Sequence, residues 1–329
     1  MKLAVIYNLA DHKLESSAYS QTYKHMFDAM ITHKGWESVQ HITQDTHSDD
    51  IDADVIFIYD IHSCHHIKLE DLRFNPAIRY TYFNDPHQID VRGMYSDGTL
   101  VHKLGAKNRI IRALQRGVNF IICPYHDGYN KFIAPYLGKD AEAMHVWFPV
   151  APRSLPTNVS TIPLIQRYHK ILGNGHTWKG IDGFRPYEFR TWAYKQPLVS
   201  IVPHVLHAKH LFYGNAFYLM LVKFAAALAL TEWYVVPKYL EIPLAGCLCL
   251  AQRNTDYELM GFKDNEHCIY VDKSNFRKVA KSFLNDILFY QSIADNGRKL
   301  VENTYTAAHF ADYIYKHSKE QIDGSSNNK

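Results

Sequence analysis

The stretch FAAALALTEWYVVPKYLEIPLAGCLCL, residues 224–250, decides how the rest of the chain is read. Its first seven residues form an apolar run of strand length, and Thr231 and Glu232 break it. Pro237 then opens a helix, a position where the missing proline N–H strands no donor. A second apolar strand starts at Cys247. Strand, helix and strand in that order predict a right-handed parallel crossover. Nearly every side chain here suits a core. The exception is Glu241, a carboxylate in the first helical turn, four residues after Pro237. A glutamate there fits an exposed, dipole-favoured position as well as a ligand-binding one.

The same alternation extends in both directions. Upstream, 2–9 reads as an apolar strand and 16–33 as a helix with Tyr19, Tyr23, Met26, Phe27, Met30 and Ile31 on one face. Residues 37–42 read as a weak strand. The continuous apolar run in 52–60 suits a parallel strand covered on both faces. Further strands are expected at 78–86, 119–125 and 145–152, a basic amphipathic helix at 102–116 and a short helix at 129–137. Residues 151–163 hold three prolines and read as a linker. The pattern then restarts: strands at 164–175, 198–204 and 266–272, helices at 186–195 and 214–223, and helical spacing from Asn275 to Tyr315. This order predicts an α/β chain of two Rossmann-like domains facing each other across a cleft. The domains would span 1–152 and 153–320, with a disordered tail over 321–329. Ligands of such sheets bind at the carboxyl ends of the strands.

Composition narrows the class. The 329 residues are 47% hydrophobic and 21% charged, as in an ordinary globular protein with a large core. Residues 1–152 carry 15 Lys/Arg against 18 Asp/Glu, whereas 153–329 carry 21 against 15. The positive second half suits an anionic ligand, yet the excess is too small to argue for nucleic acid. Five cysteines fall at 64, 123, 247, 249 and 268 with no ladder of spacings. Cys123, Cys247 and Cys249 sit in apolar runs and read as buried small hydrophobes, which suits a reducing, cytoplasmic setting. Met1 opens directly into a strand, so no signal peptide is read. The most apolar window, 217–236, is interrupted by Lys223 and Glu232 and reads as helix plus buried strand, with no transmembrane segment.

Several constellations could carry chemistry. GNGHTWKG (173–180) follows a strand; Gly173 and Gly175 would let the backbone approach a phosphate, and Lys179 could neutralise it. It is equally an ordinary strand-end turn. A carboxylate such as Glu241 can accept hydrogen bonds from both ribose hydroxyls. In the first half, Asp85 and His87 end one strand and His126 and Asp127 another, so Asp85, His87 and His126 are candidate general bases toward a hydroxyl. HSCHH (62–66) and HVLHAKH (204–210) have the look of metal sites but lack structural-zinc spacing or an accompanying carboxylate, so no metal is assigned. His204 is better placed for a phosphate or a sugar hydroxyl.

VVPKYLEIPLAGCLCL (235–250) resembles the signature of CgeB-like glycosyltransferases, relatives of the family-4 retaining enzymes with the GT-B fold. GFKDNEHCIYVD (261–272), SIADNGRKLVENTYTAAHFADYI (292–314) and HVWFPVAP (145–152) resemble further segments of that family in the same order. The resemblance implies a hexosyl- or pentosyltransferase that moves a sugar from a nucleotide-diphosphate donor to a hydroxyl acceptor, with retention. It implies no cofactor beyond the nucleotide sugar and no metal. The first domain would hold the acceptor, which could be a glycan, a lipid, a protein or a modified nucleic-acid base. The second would hold the donor through Gly173, Asn174, Gly175, Lys179, Arg185, His204, Lys238, Tyr239, Glu241 and Gly246. A nucleotide-sugar epimerase of the same fold, or an inactive nucleotide-sugar-binding protein, are the rival readings. Two features depart from the family. Eight residues separate Glu232 from Glu241 where the family has seven, and no glycine-rich loop follows Leu9.

Overall fold

The computed structural model describes residues 1–6, 22–43, 46–59, 70–83, 91–94, 100–103, 105–175, 177, 185, 187–201, 215–232 and 234–326. They form two units, each built on its own parallel sheet.

The first unit comprises the described residues of Met1–Leu14, Met26–Pro149 and Ala308–Lys329. Its elements are β1 (Lys2–Ile6), α1 (Thr22–Ile31, whose first turn through His25 falls in the second unit), β2 (Ser38–Ile42), β3 (Val55–Ile58), β4 (Ile78–Tyr82), β5 (Val91–Met94), β6 (Leu100–Lys103), α2 (Ala106–Gln115), β7 (Phe120–Ile122), α3 (His126–Phe132), α4 (Ala134–Leu137), α5 (Ala141–Met144) and β8 (His145–Val146). Six strands pair in the order β2-β1-β3-β4-β7-β8, every pairing parallel. The central strands are wholly buried, from Leu3 to Ile6 and from Val55 to Ile58, because helices cover both faces. Residues 102–116 are not one helix. Leu100–Lys103 pairs antiparallel with Val91–Met94, and α2 starts only after Gly105, whose extended backbone ends the strand.

The second unit comprises the described residues of Glu15–His25 and Val150–Ala307. It contains β9 (Tyr168–Gly173), α6 (Glu188–Ala193), β10 (Val199–Ile201), α7 (Asn215–Leu221), β11 (Phe224–Ala229), α8 (Lys238–Leu244), β12 (Leu248–Gln252), α9 (Thr255–Leu259), β13 (Ile269–Val271), α10 (Phe276–Asn285) and α11 (Gln291–Thr304). The five strands run parallel in the order β10-β9-β11-β12-β13. The order reverses between β9 and β11, the place where open sheets of this kind bind ligands. The strand–helix–strand reading of 224–250 holds as β11, α8 and β12.

Both expected domain boundaries shift. The last helix, α12 (Ala307–Ser326), belongs almost wholly to the first unit and stays helical to Ser326, where the sequence suggested a disordered tail from 321. Its inner face buries Phe310, Ala311, Ile314 and Ser318. Tyr315 meets the edge of Trp36 at 5.1 Å, Phe310 packs on Phe148 at 5.6 Å, and His317 Nδ1 shares a hydrogen bond of 2.7 Å with the Tyr80 hydroxyl.

Candidate nucleotide site in the second unit

The reversal point between β9 and β11 assembles five of the sequence-predicted residues. Strand β9 ends in Gly173, Asn174 and Gly175. A side chain at Gly173 would collide with Val199, 2.8 Å from the Cβ position. Gly175 has φ of +117°, a backbone that only glycine adopts cheaply, and a Cβ there would strike the Lys238 ammonium. The Lys238 Nζ donates to the Asn174 carbonyl, which also accepts from the Tyr194 hydroxyl at 2.5 Å.

Two cations lace the reversal point from opposite sides. Lys238 lies on the helix that follows β11 and reaches the carbonyl after β9. Arg190 lies on the helix that follows β9, and its Nε donates to the Leu230 carbonyl after β11 at 2.9 Å. The Arg190 guanidinium also lies over the Tyr187 ring, 4.0 Å from its centroid. Both side chains are buried, Lys238 at 7% exposure and Arg190 at 4%. Burial holds the Lys238 ammonium well below the usual lysine range, repulsion from Arg190 lowers it further, and Glu241 opposes both. Two neighbouring buried cations are costly to maintain, so such a pair marks a place built for negative charge.

Glu241 lies one turn along α8 from Lys238 and keeps part of its surface accessible. Its Oε1 accepts from the Thr22 hydroxyl at 3.2 Å. Burial pushes the carboxyl up to about 7, against the attraction of Lys238 and the Thr22 hydrogen bond. The cluster therefore presents buried cations, a turn whose two glycines carry no side chain, and a carboxylate placed to accept hydrogen bonds from hydroxyls.

The other predicted residues separate from it. Tyr239 is fully buried; its hydroxyl accepts from the Thr231 N–H at 3.2 Å and donates to the Gln252 carbonyl at 3.1 Å, so it braces the ends of β11 and β12. Gly246 lies at the opposite end of the sheet. It has φ of +64° just past the end of α8, and a Cβ there would sit 3.0 Å from Arg167. Arg167 in turn donates to the carbonyl of Phe224, the first residue of β11. Helix α8 runs antiparallel to the strands, so its C-terminal glycine cannot share a site with Gly175. Arg185 is exposed near Glu188. Glu232 is exposed too, its carboxyl raised by partial desolvation and then by Glu188. In the first unit, His126 begins α3 just after β7, with Nδ1 3.3 Å from the Asn130 amide nitrogen. Asp85, His87, Lys179, His204 and the two histidine-rich runs lie outside the described residues.

Sequence reading missed Arg190 and Thr22. For Arg190 a signal existed: on α6 it shares the buried face with Phe189 and Ala193, and a cation on an apolar stripe needs a reason. Thr22 carried no local signal, because its partner is 219 residues away.

Residues 166–316 match the family model described as glycosyl transferase-like. No curated protein sequence matches the chain significantly. Among solved structures, the chain is similar to Anabaena HepE in complex with UDP and glucose, at a TM-score of 0.59 and 8% identity over 96% of this chain and 99% of that one. It is similar to a glycosyltransferase from Rickettsia africae at 0.57 and 10% identity, over 98% of both chains. A third likeness is to sucrose-phosphate synthase from Thermosynechococcus elongatus, at 0.55 and 10% identity over 98% of this chain and 99% of that one. The chain spans only 58% of the matched chain of a GtfA/B complex, at a TM-score of 0.47. Two parallel-sheet α/β units with these neighbours make the fold GT-B.

Proposed function

We propose that the protein transfers a sugar from a nucleoside-diphosphate sugar to a hydroxyl acceptor, with retention at the sugar carbon. The observation that carries this reading is the Lys238–Arg190 pair closed around the Gly173–Asn174–Gly175 turn at the reversal point of the second sheet. When the bond between the sugar carbon and the diphosphate oxygen breaks, negative charge grows on the leaving oxygen. Fixed cations in a site shielded from water stabilise that charge without reorganising. Glu241, one turn along the helix, takes the two ribose hydroxyls when it is ionised. The match of 166–316 to a glycosyl transferase-like family supports the reaction class, and the complex of HepE with UDP and glucose makes UDP-glucose the first donor to try. The segment 235–250 keeps the narrower CgeB-like resemblance as part of the proposal.

In this reading the buried cations supply the countercharge for the diphosphate, so turnover persists in EDTA. His126 is the described candidate on the acceptor side. A cytoplasmic setting belongs to the same proposal, and the buried free thiols of Cys123, Cys247, Cys249 and Cys268 are compatible with it.

The test is calorimetric titration of UDP into the parent and into Lys238→Met, which keeps the buried stem and removes the charge. The parent should bind, and the variant should lose about tenfold or more in affinity, a factor worth roughly 1.4 kcal/mol per decade. Equal affinity in both would sink the site. Release of UDP from UDP-sugar only when an acceptor is added distinguishes transfer from sugar interconversion and from binding without turnover.

A further inference from the structure

We propose that the second unit docks on an anionic lipid bilayer through the end of its sheet opposite the nucleotide site. At the amino ends of the strands, five large apolar side chains stand in solvent. Leu288 and Phe289, in the turn between α10 and α11, are 65% and 66% exposed, Tyr168 58%, Ile165 45% and Ile162 38%. The two segments that carry them are tied together. The Leu164 N–H donates to the Gln291 side chain at 2.7 Å, and Leu164, Ile287 and Tyr290 belong to one buried cluster. The exposed residues therefore rim a common core at one pole.

Cations flank this apolar rim. On α10, whose other face buries Phe276, Ala280 and Phe283, Lys281 is exposed halfway along the helix toward this pole, whereas Arg277 at its start donates to the Gln196 side chain at 2.9 Å. Lys170 on β9 and Lys223 just before β11 are exposed at the same pole. No acid occurs between residues 143 and 181, and the acids at this pole are Asp295, whose carboxylate accepts from the Gln291 side chain at 2.9 Å, and Asp286. The Asp286 carboxylate accepts from the Phe289 N–H at 3.3 Å and so shapes the tip.

Exposed aliphatic and aromatic tips flanked by lysines match the boundary of a bilayer with anionic headgroups. The tips enter the acyl edge while the lysine stems reach the phosphates. A second copy of the chain fits less well, since a two-fold contact through this patch would set like charges against each other. Nucleic acid would use the cations but has no place for Leu288 and Ile165.

The experiment is co-flotation of the full chain with phosphatidylcholine vesicles, with and without phosphatidylserine. The parent should float with the phosphatidylserine vesicles, less so at high salt. Leu288→Ser/Phe289→Ser should reduce the bound fraction about tenfold, as expected when two apolar side chains no longer enter the membrane. Lys170→Glu/Lys223→Glu should abolish the dependence on phosphatidylserine and serves as the second test if the first variant misfolds. All four residues are exposed, so melting temperatures should stay with the parent. Absence of vesicle binding by the parent overturns the proposal, as does binding unchanged in both variants. A change of oligomeric state in the variants with no vesicle binding by the parent would assign the surface to a second copy instead. None of these readouts depends on nucleotide binding, so the outcome is separate from that of the glycosyltransferase reading.

Discussion

Glu241 is where stability and the proposed function oppose each other. Its carboxyl titrates near 7 in the folded chain and near 4.5 when unfolded. The folded state therefore holds a proton that the unfolded state has lost, between those two values. The resulting stability is fully present below about pH 4.5 and is lost as the pH rises through 7, where a buried carboxylate must ionise. Glu241→Gln never ionises. It should melt with the parent near pH 4.5 and above it at pH 8, by up to about 3 kcal/mol given 1.36 kcal/mol per unit of pKa. Donor binding should change in the opposite sense. In the parent, UDP affinity should weaken from pH 8 to pH 6 as the carboxyl protonates; in Glu241→Gln it should be about tenfold lower at pH 8 and flat across the range. Melting curves and titrations at the two pH values decide both points. A variant less stable than the parent at pH 8 would mean that the carboxylate contributes net stability through Lys238 and Thr22.

At the scale of elements, two glycines with positive φ separate structure from site. Gly246→Ala places a Cβ at φ of +64° where it ends α8, 3.0 Å from Arg167. It should cost about 1–2 kcal/mol of stability and leave UDP affinity unchanged, because it lies at the far end of the sheet. Gly175→Ala, at φ of +117° and against the Lys238 ammonium, should cost affinity as well as stability. Paired melts and titrations of the two variants check this. The contrast also shows what the sequence made legible. The strand, helix and strand of 224–250 could be read because apolar periodicity is local, and the turn after β9 because two glycines close to each other announce it. The end of the sheet at which Gly246 lies could not be read, because a motif aligned in one dimension does not reveal that α8 turns its C-terminus away from Gly175. Tyr239 shows the same limit: the resemblance put it in the donor set, whereas the residue is fully buried and its hydroxyl is bonded to backbone groups of neighbouring strand ends.

For the whole molecule, the chain order does not respect the division into units. The expected boundary between 152 and 153 lies close to the observed step from Pro149 to Val150, but the return of α12 to the first unit left no trace in local pattern. Its apolar stripe could have served any core, and its partners Trp36, Tyr80 and Phe148 lie more than 150 residues away. The return has a consequence for truncation. A chain ending at Ala307 keeps the bond from the Ala307 N–H to the Pro152 carbonyl, 2.7 Å long, within the second unit. It removes Phe310 and Ile314, which are 1% and 0% exposed, from the first. Losing two large buried side chains costs more than about 5 kcal/mol, comparable to the whole stability of a domain. The first unit should then unfold and be digested by protease while the second retains UDP affinity. A chain ending at Glu320 keeps His317 and Ser318 on Tyr80 and should melt within a few degrees of the parent, since none of the described side chains from 321 to 324 is buried. Scanning calorimetry with limited proteolysis separates the two cases. If the chain ending at Ala307 melts like the parent, α12 is an accessory helix and the first unit is complete without it.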